Sequence, residues 1–196
     1  MKRFARVQTP SGIVWVRCDD RTPVADSVGA LHCALAQGAV TAQGPGVDGH
    51  ALAPAEPSKI VCVGLNYLHH AIEMNKQVPE EPLLFMKPTT ALLGPGGKIV
   101  LPEASSLVHH EGELAVVIGA RACRVDDSSA MDHVLGVTCL NDVTARDIQR
   151  REKRYTRGKG YDTFAPCGPE LWTGVDPQSL MLRTHVNGVL RQESCT

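Results

Sequence analysis

The amino-acid sequence predicts an α+β chain in which strands outnumber helices. Three observations carry this. Apolar residues fall in short runs of strand length, the runs are bounded by turn clusters rich in the 18 glycines and 13 prolines, and helical spacing is confined to a few stretches. At 196 residues, with 43% hydrophobic and 21% charged content, the composition is that of an ordinary globular protein, which excludes disorder, collagen and coiled coil. Aromatic residues make up only 4%, so the core has to be aliphatic, with Trp15, Trp172 and the few Phe and Tyr as isolated anchors.

In order along the chain, Phe4 to Val7 and Ile13 to Arg17 flank a Thr-Pro-Ser-Gly cluster and read as a hairpin. Asp26 to Gln37 carries an Asp cap, helical spacing of Val28, Leu31 and Leu35, and Gly38 as a stop. Gly38 to Pro57 is mostly Gly, Ala and Pro and reads as a connector. These signals divide the chain into a small N-terminal α/β module with its linker, residues 1–56, and a main domain, residues 57–196. In the latter, Lys59 to Gly64, Leu83 to Met86, Ile99 to Leu101, Glu113 to Gly119 and Val134 to Leu140 read as strands. Asn66 to Met74 has helix-like polarity and reads as a loop or helix, Ser128 to His133 reads as a short capped helix, and Gly94-Pro95-Gly96-Gly97 as a tight turn. Thr144 opens a further helix, with Asp147 making a near match to a capping box.

Charge and composition remove several function classes. With 20 Lys and Arg against 21 Asp and Glu, the formal charge of -1 offers no field for nucleic acid or an anionic membrane. The basic run Arg150, Arg151, Lys153, Arg154, Arg157 and Lys159 is interrupted by Glu152 and lacks an aromatic platform, so it reads as a solvated helix face. Apolar stretches such as Leu114 to Ile118 fall far short of the roughly 20 residues of a membrane span. Met1 to Arg6 runs into Gln8, Thr9 and Pro10 and not into an apolar signal region, so a cytoplasmic location is expected. Seven cysteines in odd number, none in a C-x-x-C pair, argue against a disulfide framework or zinc ribbon and read as reduced, mostly buried groups.

The most informative stretch is His109-His110-Glu111-Gly112-Glu113 leading into Leu114-Ala115-Val116-Val117-Ile118. On a strand, Glu111 and Glu113 share a face with Ala115 and Val117, while Leu114, Val116 and Ile118 fill the other. If both faces are covered, two carboxylates sit at the rim of a core, where unpaired charge costs several kcal/mol unless a cation neutralises it. A divalent ion does this economically. Hard oxygen ligands suit Mg, Mn or Ca, with Asp142, at the end of another strand, as the third donor. The alternative is a frayed strand end with two solvated glutamates.

Several blocks then carry a resemblance: Ile60-Val61-Cys62-Val63-Gly64-Leu65-Asn66-Tyr67, His70 with Glu73, Leu84-Phe85-Met86-Lys87-Pro88, His109 to Glu113, Asn141-Asp142-Val143-Thr144-Ala145-Arg146-Asp147 and Gly158-Lys159-Gly160-Tyr161-Asp162-Thr163-Phe164. In kind and order they resemble the fumarylacetoacetate hydrolase family, over about Pro57 to Gly168. The resemblance implies a mostly β catalytic domain, an incomplete rolled sheet, holding one Mg or Mn through Glu111, Glu113 and Asp142, with Ca as a possible structural substitute. It implies a small 2-oxo acid substrate, Lys159 near the metal as a catalytic and substrate-binding cation, and Arg146 and Gln149 as substrate contacts. His70 and Glu73 match a pair that activates water from a mobile lid; read alone, they are an ordinary surface helix pair. His109 and His110 are expected to make structural hydrogen bonds, and Cys62 and Cys167 to pack.

The resulting expectation is a metal-dependent hydrolase that cleaves a C–C bond in an acylpyruvate or fumarylpyruvate through a metal-bound enolate, a reaction type at home in aromatic catabolism. An isomerase of the 5-carboxymethyl-2-hydroxymuconate or 2-hydroxyhepta-2,4-diene-1,7-dioate type, or an oxaloacetate-type decarboxylase, needs the same carboxylates. An inactive binding or scaffold protein is the third alternative. Family members are usually homodimers, and a homodimer is expected here. Two departures stand out: Gly160 replaces a serine common in relatives, and the block Val186 to Gln192 is followed only by Glu193 to Thr196 where relatives continue into further strands and a Gly-Thr-Pro loop. The resemblance therefore implies truncation at the C-terminal end.

Overall fold

The computed structural model describes residues 1–38, 48–67, 77, 79–152 and 154–196. Strands β1 (Lys2–Thr9) and β2 (Gly12–Arg17) form the expected hairpin, and β3 (Pro23–Ala25) pairs with β2. Phe4 and Trp15 point to one face of this sheet, and Ala5, Val7 and Val16 form a cluster on the other. Helix α1 (Val28–Ala36) closes the Phe4 face through Leu31, which is fully buried. Burying one such side chain contributes about 1.5–3 kcal/mol. The N-cap is Ser27 and not Asp26: the Ser27 hydroxyl accepts the Ala30 N–H at 3.2 Å, and Asp26 has no capping bond. The hydroxyl stands one residue nearer the first turn, where the free N–H groups are.

The stretch read as a connector contributes a strand. β4 (His50–Leu52) pairs with β1 at Arg6 to Gln8, the part of that edge which β13 (Leu171–Thr173) leaves open by pairing only with Lys2 to Phe4. β4 supplies backbone pairing at this edge, and at Gly49, just before it, a Cβ would lie 2.5 Å from the Gln8 carbonyl. Sheet order is β3-β2-β1-β13-β10-β9, with β9 spanning Gly112–Ile118 and β10 spanning Val134–Asn141. The N-terminal hairpin thus shares one sheet with the strands that carry the acidic residues, and Phe4, Trp15, Leu31, Leu135 and Leu171 form one core across it.

Smaller ladders build the other side of the molecule. β5 (Ile60–Gly64) pairs with β6 (Leu83–Lys87), β7 (Leu92–Leu93) runs parallel to β12 (Ala165–Pro166), and β8 (Val108–His109) pairs with β11 (Thr144–Ala145). β14 (Met181–Val186) and β15 (Val189–Cys195) form a hairpin about Asn187-Gly188, both at positive φ as a tight primed turn requires. Among the described residues three further short α-helices follow: α2 (Asp127–Ala130), α3 (Arg146–Glu152) and α4 (Tyr155–Lys159). A second core of Ala91, Val143, Ala145, Ile148, Phe164 and Ala165 fixes α3 and the loops around it.

Several expectations are corrected. Ile99 to Leu101 forms no strand: among the described residues it has no partner ladder, and it lies exposed, tied at Val100 N–H to the Thr163 hydroxyl at 2.8 Å. Thr144 does not open a helix; it lies in β11, its hydroxyl donating to the Asp142 carbonyl at 2.9 Å, and the helix begins at Arg146. Asp147 instead accepts from the Ser105 hydroxyl at 2.6 Å and Ser106 N–H at 3.1 Å, holding a loop. The Leu114, Val116 and Ile118 face of β9 is open, with Val116 47% and Ile118 55% exposed. All seven cysteines are free, yet only Cys62 and Cys167 are buried. Trp172 is 39% exposed, and the aromatics pair: Phe85 meets Tyr155 edge-on at 5.2 Å, and Tyr161 meets Phe164 at 5.3 Å. Most of the stretch from Asn66 to Met74, expected as a loop or helix, lies outside the described residues. Among the described residues no helix is long and apolar enough to cross a membrane.

Candidate metal centre

β9 and β10 run antiparallel with Glu113 opposite Leu140 and Gly112 opposite Asn141, which brings the start of β9 alongside the residue just past β10. Two bonds stitch these ends together: the Asp142 N–H donates to the Glu111 carbonyl at 2.8 Å, and the Glu111 N–H donates to the Asn141 side-chain oxygen at 2.9 Å. One oxygen from each of Glu111, Glu113 and Asp142 then lies within 4.8 Å of the others. Asp142 is 1% exposed, and both glutamates are half-buried.

Three cations from three elements converge on this group. Lys159, at the end of α4, bonds Glu111 at 2.7 Å and also Asp142. It is delivered by the close approach of α4 to α3 at Gly158, where a Cβ would lie 3.1 Å from Gln149. Its ammonium stands 4.9 Å from the centre of the Phe85 ring, a cation–π contact. Arg146, at the start of α3, pairs with Glu111 and donates to the Gln149 side-chain oxygen at 2.6 Å. Lys87, the last residue of β6, bonds Asp142 at 2.6 Å and the Val143 carbonyl at 3.1 Å.

The structure therefore brings together Glu111, Glu113, Asp142, Arg146, Gln149 and Lys159. His70 and Glu73 lie outside the described residues. Lys87 was not among the residues singled out for the site, although it carried a legible signal: a lysine closing an apolar strand just before Pro88, with no charge neighbouring it in sequence, needs a buried anion if the strand packs. His109 and His110 are exposed, and no side-chain hydrogen bond of theirs is present among the described residues, contrary to the structural role expected of them. At Gly160 a Cβ would stand 2.4 Å from the Thr156 carbonyl, so a side chain there would require the end of α4 to relax.

The electrostatics separate the two glutamates. Burial alone would raise Glu111, but Lys159 and Arg146 hold its carboxyl below the ordinary value. Burial pushes Glu113 up to about 8, helped by the charges of Asp142 and Glu111. Among the described residues nothing hydrogen-bonds the Glu113 carboxylate. Burial would lower Lys159, yet Asp142 and Glu111 keep it above its usual value, whereas burial wins at Lys87 and lowers it despite Asp142. Three carboxylates, of which Glu113 has no ion-pair or hydrogen-bond partner among the described residues, are hard oxygen donors that fit a divalent cation, and the ion would supply the direct partner Glu113 lacks.

Residues 59–196 match the family described as fumarylacetoacetate (FAA) hydrolase C-terminal. The chain belongs to the fumarylacetoacetate hydrolase family. Its strand-dominated, open-sheet architecture is that of the family's solved members. A 2-hydroxyhepta-2,4-diene-1,7-dioate isomerase from Mycobacterium marinum superposes with a TM-score of 0.83 at 38% identity, covering 100% of this chain and 75% of that one. An oxaloacetate tautomerase of Xenopus laevis, described as mitochondrial, is 45% identical over 74% of this chain and 48% of its own length. A protein of Archaeoglobus fulgidus is 52% identical over 74% of this chain, which spans 58% of that relative. Within the family, the Glu111, Glu113 and Asp142 group is one that can bind a divalent metal.

Proposed function

We propose that this chain carries the catalytic centre of an isomerase that interconverts keto and enol forms of a small 2-oxo acid, with a divalent ion held by Glu111, Glu113 and Asp142. The observation that carries the reading is the convergence of these three carboxylates with Lys159 and Arg146. Bound there, Mg or Mn would act as a Lewis acid toward adjacent substrate oxygens and lower the energy of enolate charge. The chain's own residues supply the rest. Lys159, held as a cation by its carboxylate neighbours, stabilises negative charge on a substrate oxygen and is not a base. Arg146, braced by Gln149, offers its remaining donors to a substrate carboxylate. Lys87 orients Asp142 from the buried side.

The relatives named above as isomerase and tautomerase support rearrangement over cleavage. Hydrolysis of an acylpyruvate-type C–C bond is the second reading, favoured by the His70-x-x-Glu73 spacing, because cleavage needs a base to activate water. A substrate panel separates the two. The purified chain is assayed with Mg or Mn, and with chelator, on enolic oxaloacetate, an unsaturated 2-oxo diacid and an acylpyruvate. Keto–enol or double-bond isomerisation without release of a second acid supports the first reading; release of pyruvate from the acylpyruvate supports the second. The proposal includes a homodimer in the cytoplasm, which sedimentation and fractionation test.

A further inference from the structure

Among the described residues β9 is the outer strand of its sheet, and no described strand pairs with the N–H groups on its free side. Two of them are met by side chains from distant elements: the Gly112 N–H donates to the Gln192 side-chain oxygen at 2.9 Å, and the Leu114 N–H donates to the Tyr67 hydroxyl at 3.0 Å. Gln192 belongs to β15, and it binds the one residue that separates Glu111 from Glu113. The same hairpin presses on Gly112 from β14: a Cβ there would lie 2.0 Å from the Thr184 hydroxyl. Because alternate strand residues face opposite sides, the hairpin meets the back of the segment whose front carries the two carboxylates. Elsewhere the hairpin is largely solvent-facing, with Met181 52%, Val189 52% and Leu190 45% exposed.

We propose that Gln192 is a positioning residue of the metal centre. Its carbonyl oxygen fixes the Gly112 amide, and Thr184 sets how closely the hairpin approaches, so that the Glu111 and Glu113 carboxylates are preorganised toward Asp142 before any ion arrives. This explains the glycine between the two glutamates: any side chain at residue 112 would displace the hairpin. The inference rests on the metal reading of the carboxylate group. A single neutral hydrogen bond adds little to global stability, whereas partners that orient metal ligands are worth about 10–100-fold in metal affinity.

The test measures Mn affinity by titration, amide exchange at Gly112 in the metal-free protein, and the thermal midpoint without metal. Gln192→Leu is expected to weaken Mn binding about tenfold or more and to speed exchange at Gly112, with a midpoint close to that of Arg183→Ala, a surface control on the same hairpin. Gln192→Glu, which keeps an oxygen acceptor, should restore slow exchange at Gly112. An independent pair covers the case in which Gln192→Leu folds poorly: Gly112→Ala should weaken Mn binding, and adding Thr184→Ala should recover it by removing the clashing hydroxyl. Wild-type Mn affinity in Gln192→Leu, or loss in Gly112→Ala without recovery in the double variant, would overturn the proposal. Slow Gly112 exchange in a wild-type chain that binds no Mn would overturn the metal reading and take this inference with it.

Discussion

Glu113 is the residue whose chemistry depends most on the ion. Its carboxyl, pushed up to about 8, binds a proton in the folded chain at pH values where the unfolded chain has released it. A proton held more tightly by the folded state makes stability fall as pH rises. The metal-free chain should therefore lose this contribution between the ordinary carboxylate value and about pH 8, seen as a falling denaturation midpoint across that window. Metal competes for the same oxygens, so Mn affinity should climb with pH up to about 8 and then level off. Glu113→Gln should flatten both curves; an unchanged pH slope in that variant would mean that another group titrates. Lys87 behaves differently. Its side chain is fully buried against Asp142, and Lys87→Met should destabilise the fold by about 3 kcal/mol because it removes one partner of a buried pair. Urea unfolding checks this, and a cost below 1 kcal/mol would indicate that Lys159 alone compensates Asp142.

At the scale of elements, the site is a meeting of ends: the start of β9, the end of β10, the end of β6, the start of α3 and the end of α4. The strand period placed Glu111 and Glu113 on one face and Asp142 at the end of another strand, so this part was legible in sequence. The cap of α1 and the role of Asp147 were not, because several short polar side chains near a helix start can each serve and only the tertiary fold decides which does. Asp147 faces the loop at Ser105 and Ser106, whose bonds hold its carboxyl at about 2, with the Ser105 hydroxyl as the main cause. A depressed carboxyl contributes stability above its unfolded value and loses it as pH falls through the folded one. Asp147→Asn is accordingly expected to remove a stability increment that the parent shows above about pH 4. Comparing acid-unfolding curves of the two proteins reads this directly. The open face of β9 shows the limit of periodicity: alternation assigns Val116 and Ile118 to a common face but does not say whether anything covers it.

For the whole molecule, the sequence signalled a strand-rich chain and its acidic centre, but not the single sheet that joins β1 to β10 through β13. That connection depends on three residues, Leu171 to Thr173, pairing with strands more than 30 and more than 160 positions away. Local pattern carries no trace of such pairings. The same sheet links the centre mechanically to the N-terminal hairpin, so an ion bound by Glu111, Glu113 and Asp142 should stabilise the entire fold and not one corner. By mass action, an ion present at 100 times its Kd adds about 2.7 kcal/mol. The most direct measurement is calorimetric titration of Mn into the purified wild-type chain and into Glu113→Ala, with melting curves recorded alongside in chelator and in excess metal. The account predicts saturable binding of one ion per chain and a raised midpoint in the wild type, both largely lost in Glu113→Ala. A wild type with no binding heat and the same midpoint in chelator and metal would contradict it.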